Sequence, residues 1–86
     1  MNGHKAAGDA VRALVLDEVL RIAPDIEPSA LDDTADLRRT ADLDSLDFQT
    51  LIEAIAARTG VVVPEGDYQQ VRSLQGMTDY ISSRMG

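Results

Sequence analysis

Apolar residues recur at helical spacing in three stretches of this 86-residue chain, and the segments between them lack any period. From about Asp9 to Ala23, Val11, Leu14, Val15, Val19 and Ile22 fall on one helical stripe. Leu16 and Leu20 flank that stripe, and the pattern leaves open whether they are core or exposed. Pro24 ends the helix. From about Ser45 to Arg58, Phe48, Leu51, Ile52 and Ile55 share a face at about 100° per residue. Leu46, Thr50, Ala54 and Ala57 lie roughly opposite. Asp44 is the N-cap of this second helix, Asp47 is a weak capping-box partner, and Gly60 is its stop. Ser73 caps a last helix in which Leu74, Met77, Tyr80 and Ile81 align. Gly76 weakens that helix by about 1 kcal/mol relative to Ala.

The intervening segments are less regular. Residues 24–44 carry Pro24, Pro28, Ser29 and Asp/Thr clusters and read as a long loop. Loops of this length in a compact domain are uncommon and often functional. Ile26, Leu31, Leu37 and Leu43 are the residues able to pin it to a core. Val61-Val62-Val63-Pro64 reads as a short extended stretch, and one strand cannot make a sheet. Glu65 to Gln70 holds a turn or two of helix. Residues 1–7 are expected to be a flexible tail and residues 8–86 a single domain. The expected fold is therefore all-α: a small bundle of three longer helices and one short one, with a long first loop.

Charge sharpens this picture. The net charge is −7, and it is unevenly placed. Between Asp25 and Glu53 stand nine acidic residues and two basic ones, Arg38 and Arg39. The rest of the chain is neutral, with six acids and six bases. Such a field repels nucleic acid and anionic membrane and attracts basic protein surfaces. Solubility is the plainer explanation of acidity, but its concentration around Ser45 favours docking. With no cysteine there is neither a disulfide nor a thiolate metal site. No apolar run approaches the roughly 20 residues of a membrane span. The start, Met1 to Lys5, has no apolar signal segment, so the expected compartment is the cytoplasm.

Catalysis has little to work with. A nucleophile needs a base, and the one histidine, His4, lies in the expected tail. Asp32, Asp33 and Asp36 are close in sequence but lack the Gly and bidentate Glu of an EF-hand, so no metal site is expected. There is no glycine-rich phosphate loop and no basic patch. Asp44 and Asp47 sit at a solvated helix end with no apolar pocket evident, a poor setting for acid/base work. The chain is not expected to be an enzyme.

Ser45 remains. It stands in the first turn of its helix, where backbone N–H groups lack intrahelical partners and an attached phosphate diester is favoured. Taken alone, it is an ordinary capping serine. Its neighbour Leu46 is predicted to be exposed beside the hydroxyl, as a small docking knob.

In context, Asp44-Ser45-Leu46-Asp47, the apolar helix after it, the Gly60-to-Pro64 turn, and Ser73-Leu74 leading to Tyr80-Ile81 resemble the acyl carrier protein family. The resemblance spans about Val11 to Ile81 and implies a four-helix bundle. It implies that Ser45 receives a 4′-phosphopantetheine arm from a phosphopantetheinyl transferase, and that the arm's thiol carries acyl groups as thioesters. Asp44 matches the position associated with Mg²⁺ during that transfer. Further partners implied are an acyl-loading ligase or acyltransferase and downstream synthase enzymes of lipid, fatty acid or secondary-metabolite biosynthesis. Leu46, Asp47, Thr50 and Glu53 are the expected partner-binding residues of a monomeric carrier.

Two departures qualify the resemblance. The family often has Gly three residues before the serine, where this chain has Asp42. Its housekeeping fatty-acid members carry many glutamates along the serine helix, diluted here to Asp44, Asp47 and Glu53. A specialised, freestanding carrier is the resulting expectation. An aminoacyl or peptidyl carrier, or an unmodified acidic interaction domain, are the alternatives.

Overall fold

The computed structural model describes the backbone of residues 3–85 and the side chains of residues 8–85. Helix α1 spans Gly3–Ile22, α2 Leu37–Thr40, α3 Ser45–Thr59 and α4 Leu74–Met85. Two 3₁₀ segments, Pro28–Ala30 and Glu65–Val71, complete the order. The described chain is an all-α bundle, as the pattern predicts. Helix α1 packs against α4 and α3, and α4 also packs against the second 3₁₀ segment.

Each long helix buries the face its period defines. Val11, Val15 and Val19 of α1 are buried, with Leu14 and Ile22 partly buried against the core. Leu16 and Leu20 prove half-buried, at the edge of the stripe. Phe48, Leu51, Ile52 and Ile55 of α3 are buried, as are Leu74, Met77, Tyr80 and Ile81 of α4. Val61 and Val63 point inward while Val62 is exposed, the alternation of an extended stretch.

Three points correct or extend the sequence reading. Helix α1 runs from Gly3, so its backbone starts six residues before the expected Asp9. Of the expected tail, Met1, Asn2 and the side chains of 3–7, His4 included, lie outside the described residues. Residues 24–44 are not a plain loop, because they contain Pro28–Ala30 and α2. The side chain of Asp36 caps α2 by accepting from Arg38 N–H, and Leu37 is buried beneath it.

The loop is pinned by both its apolar and its acidic residues. Leu37 and Leu43 are buried and Ile26 packs on the core. Asp33 accepts from Arg12 Nε and Nη2 at 2.8 Å each, and Asp36 accepts from Arg72 Nη2 at 2.7 Å. Leu37 N–H donates to Arg72 C=O at 2.7 Å beside an isolated bridge between Asp36 and Ser73. These carboxylates therefore act as struts. The guanidinium partners hold Asp33 and Asp36 below the usual carboxylate range, and Thr34 N–H does the same for Asp32.

A further strut joins α1 to α3. Glu18 is buried and accepts from Arg58 Nη1 at 2.8 Å, while Asp17 accepts from the same nitrogen at 2.9 Å. Arg58 is thus tied to α1, which makes it a structural cation. Gly76 also has a structural reason. A Cβ there would stand 2.5 Å from the Gln70 backbone oxygen, so the close approach of the 3₁₀ segment to α4 demands glycine despite its helix penalty.

Candidate functional site

Ser45 is the first residue of α3 and is exposed. Asp44 precedes it as N-cap and its Oδ1 accepts from Asp47 N–H at 2.8 Å. Asp47 Oδ2 reaches back to Asp44 N–H at 3.4 Å, which closes the capping box. The end of α3 is therefore held by Asp44 and Asp47, and the Ser45 hydroxyl takes no part in capping.

The hydroxyl has one protein partner among the described residues. Arg38 Nη2 donates to Ser45 Oγ at 3.1 Å. A guanidinium donates hydrogen bonds and cannot accept a proton. The contact consequently gives Ser45 no general base, and it leaves the oxygen facing solvent beside a fixed positive charge. The other serines are placed differently. Ser73 Oγ accepts from Gly76 N–H at 2.9 Å as the cap of α4, Ser83 donates to Tyr80 C=O, and Ser82 Oγ is buried. Ser29 is exposed and bonds Glu27 at 3.4 Å, outside any long helix.

Beside Ser45 lies a groove. One part is lined by Arg38, Ser45, Phe48, Gln49, Glu65 and Tyr68. A second part shares Arg38, Phe48 and Tyr68 and continues to Arg39, Leu43, Gln69 and Arg72. Its floor is the aromatic pair Phe48 and Tyr68, whose rings meet edge to face at 5.6 Å.

On the outer side of α3, Leu46 is 72% exposed. Thr50 and Glu53 are exposed one and two turns farther along, on the same side of the helix as Leu46. Asp47 is half-buried at the capping box. The structure thus brings Asp44, Ser45 and Asp47 together at the helix end and strings Leu46, Thr50 and Glu53 along one exposed stripe. Sequence reasoning missed Arg38 as a neighbour of Ser45. Arg38 and Arg39 stand out in the sequence as the two cations of the acidic segment, but nothing in the pattern says which of them meets Ser45.

A family model described as "Phosphopantetheine attachment site" matches residues 9–81 of the chain. The chain belongs to this phosphopantetheine-binding family. Comparison with curated proteins gives no match, and neither does comparison with solved structures. Phosphopantetheine-binding domains carry 4′-phosphopantetheine covalently on a serine. They are carriers and work with a modifying transferase and biosynthetic enzymes. The matched range includes every long-helix contact of the core described above, together with α2, Ser45 and the groove. An exposed hydroxyl at a pre-capped helix end, with a cation at hand, fits a phosphodiester attachment. Among the described residues, no helix is long and apolar enough to cross a membrane.

Proposed function

We propose that this chain is an acyl carrier protein whose arm is attached at Ser45. The observation that carries the reading is the exposed Ser45 hydroxyl on the first residue of α3, within the family match and free of any capping duty. In the transfer, Ser45 Oγ attacks the pyrophosphate of coenzyme A. A new P–O bond forms to Oγ, the bond to the 3′,5′-adenosine bisphosphate leaving group breaks, and the hydroxyl proton passes to a base on the transferase. Once attached, the arm supplies a thiol that holds acyl groups as thioesters.

Asp44 is the proposed Mg²⁺-associated residue of that encounter. Its Oδ1 is used by the cap, and its Oδ2 takes no hydrogen bond among the described residues, so one oxygen stays open to a shared cation. Leu46, Asp47, Thr50 and Glu53 are the proposed partner surface for the transferase, the acyl-loading ligase or acyltransferase, and the downstream synthase enzymes. The carrier itself is monomeric and cytoplasmic in this reading and performs no catalysis, since the group against Ser45 is a guanidinium and not a base. Acidic residues at Asp44, Asp47 and Glu53 support acyl over aminoacyl or peptidyl cargo in lipid or secondary-metabolite biosynthesis.

Intact-mass analysis after incubation with coenzyme A, Mg²⁺ and a promiscuous phosphopantetheinyl transferase tests the assignment. One phosphopantetheine should be added to the wild-type chain and none to Ser45→Ala. Helical circular dichroism of Ser45→Ala should match wild type, because Asp44 and Asp47 retain the cap. Modification that persists in Ser45→Ala refutes Ser45. A wild-type chain that stays unmodified supports an unmodified acidic interaction domain instead.

A further inference from the structure

Arg38 is the arginine that reaches Ser45. Arg12, Arg21, Arg58 and Arg72 each have a carboxylate within 4.0 Å, Arg84 lies over the Tyr80 ring at 3.5 Å, and Arg39, like Arg38, has no such carboxylate among the described residues but makes no hydrogen bond with Ser45. Among the described residues, Arg38 has no carboxylate that close, and its side-chain hydrogen bond goes to the neutral Ser45 hydroxyl at 3.1 Å. Its backbone is held firmly. Arg38 N–H donates to Asp36 Oδ1 at 2.9 Å, and its C=O accepts from Leu43 N–H at 2.9 Å. The side chain is thereby aimed across the chain reversal at the first residue of α3, with a charge not yet matched.

We propose that Arg38 is the built-in counter-ion of the phosphodiester on Ser45, and that it turns the attached arm into the groove floored by Phe48 and Tyr68. The proposal rests on Ser45 being the attachment residue. On modification, Oγ becomes an ester oxygen with two charged oxygens on the adjoining phosphorus. A guanidinium already 3.1 Å from Oγ is within reach of those oxygens, and its forked donors match them in geometry. A weak bond to a neutral hydroxyl thus becomes a charge-assisted one. The surroundings make a cation useful. Asp42, Asp44 and Asp47 all stand within three residues of Ser45 and repel an added anion.

Direction follows from position. Arg38, Phe48 and Tyr68 line both parts of the groove, so a phosphate held by Arg38 sits at its mouth. The aromatic floor suits the arm's methyl-bearing carbon, and Gln49, Glu65 and Gln69 on the walls offer partners for its amides. Arg38 is a positioning residue in this role and forms no bond with the cargo.

Side-chain nitrogen-detected NMR of the full chain, apo and phosphopantetheinylated, tests this at low salt. Mass analysis is done first, with Ser45→Ala as control. The Arg38 guanidinium signals, identified by their loss in Arg38→Lys, should shift on modification. Nuclear Overhauser contacts should join the arm to the Phe48 and Tyr68 rings. In modified Arg38→Ala these contacts should be lost, and in Arg38→Lys they should be partly kept, since the charge survives without the fork. Amide spectra of the apo variants report that the fold is intact. Arg38 signals that stay at their apo positions in the modified wild type would overturn the proposal, even if Arg38→Ala could not be loaded. So would arm contacts unchanged in Arg38→Ala. Absence of modification, or its persistence in Ser45→Ala, overturns the attachment reading and this one together, and the mass measurement identifies that case separately.

Discussion

Arg12 holds Asp33 by two parallel hydrogen bonds of 2.8 Å, across a sequence separation of 21 residues. The pair fastens the first loop to α1, and Gln75 N–H donating to Asp33 C=O at 2.8 Å ties the same residue to α4. One aspartate therefore joins three parts of the bundle.

A pH dependence follows. The Asp33 and Asp36 carboxyls are held below the usual range, chiefly by side-chain hydrogen bonds from Arg12 and Arg72. A carboxyl with a folded pKa below its unfolded value, about 3.9, stabilises the fold fully above that value. The contribution is lost as pH falls through the folded pKa. The melting temperature should accordingly drop as pH is lowered from about 5 towards 2. Asp33→Asn should lower it at neutral pH and flatten the acid slope. A slope identical to wild type in Asp33→Asn would show that the pair contributes nothing.

Phe48 is 3% exposed and meets Tyr68 edge-on. Phe48→Ala should cost about 3–5 kcal/mol in urea unfolding, a large share of the stability of so small a domain. Phe48→Leu should cost far less. The same measurement on Leu46→Ala should show little change, since Leu46 has almost nothing to lose by burial.

Asp42 has a φ of 53°, the left-handed region that disfavours side chains. It occupies the position where the resemblance to acyl carrier proteins would often place glycine, and its φ is one that glycine adopts at no steric cost. Asp42→Gly should be neutral or stabilising by up to about 1 kcal/mol, because relief of strain exceeds the added unfolded-state entropy. Asp42→Val should destabilise by about 1–2 kcal/mol or more. Thermal melts of both variants decide the point.

Partner recognition should split into a salt-dependent and a salt-independent part. Glu53→Lys should slow loading by basic partner enzymes, with the effect shrinking as salt rises. Asp47→Lys should act in the same direction but also removes the back-bond of the capping box, so Glu53→Lys is the cleaner probe. Leu46→Ala should weaken the complex with little salt dependence. Against a housekeeping ketosynthase or malonyl transferase, kcat/KM should be lower for this chain than for a glutamate-rich carrier. Equal values would refute specialisation.

The long helices and their buried faces were legible because burial imposes a period on fifteen or so residues at once, as with Val11, Val15 and Val19. The exposed place of Ser45 at a helix start was legible because Asp44 supplies the cap and an apolar period begins just after it. Helix α2 was not: four residues hold no period, and its formation depends on the Asp36 cap and on Leu37 bonding to Arg72, far along the chain. Burial of Glu18 was hidden for the same reason. It sits on the apolar side of α1 between Val15 and Val19, but its partner Arg58 is 40 residues away. The Arg38–Ser45 contact spans seven residues and a chain reversal, which local patterning does not encode.

The wall of the groove opposite α3 is the 3₁₀ segment Glu65–Val71. Its hydrogen bonds close tighter, poorer rings than those of an α-helix. Its ends are anchored by the buried Val63 and Val71, and between them it is held by Tyr68 on Phe48, Tyr80 O–H donating to Asp67, and the close approach of Gln70 to Gly76 of α4. The groove therefore has one stiff side and one compliant side. Amide exchange should be faster in this segment than in α3, making it the hinge through which the bundle breathes.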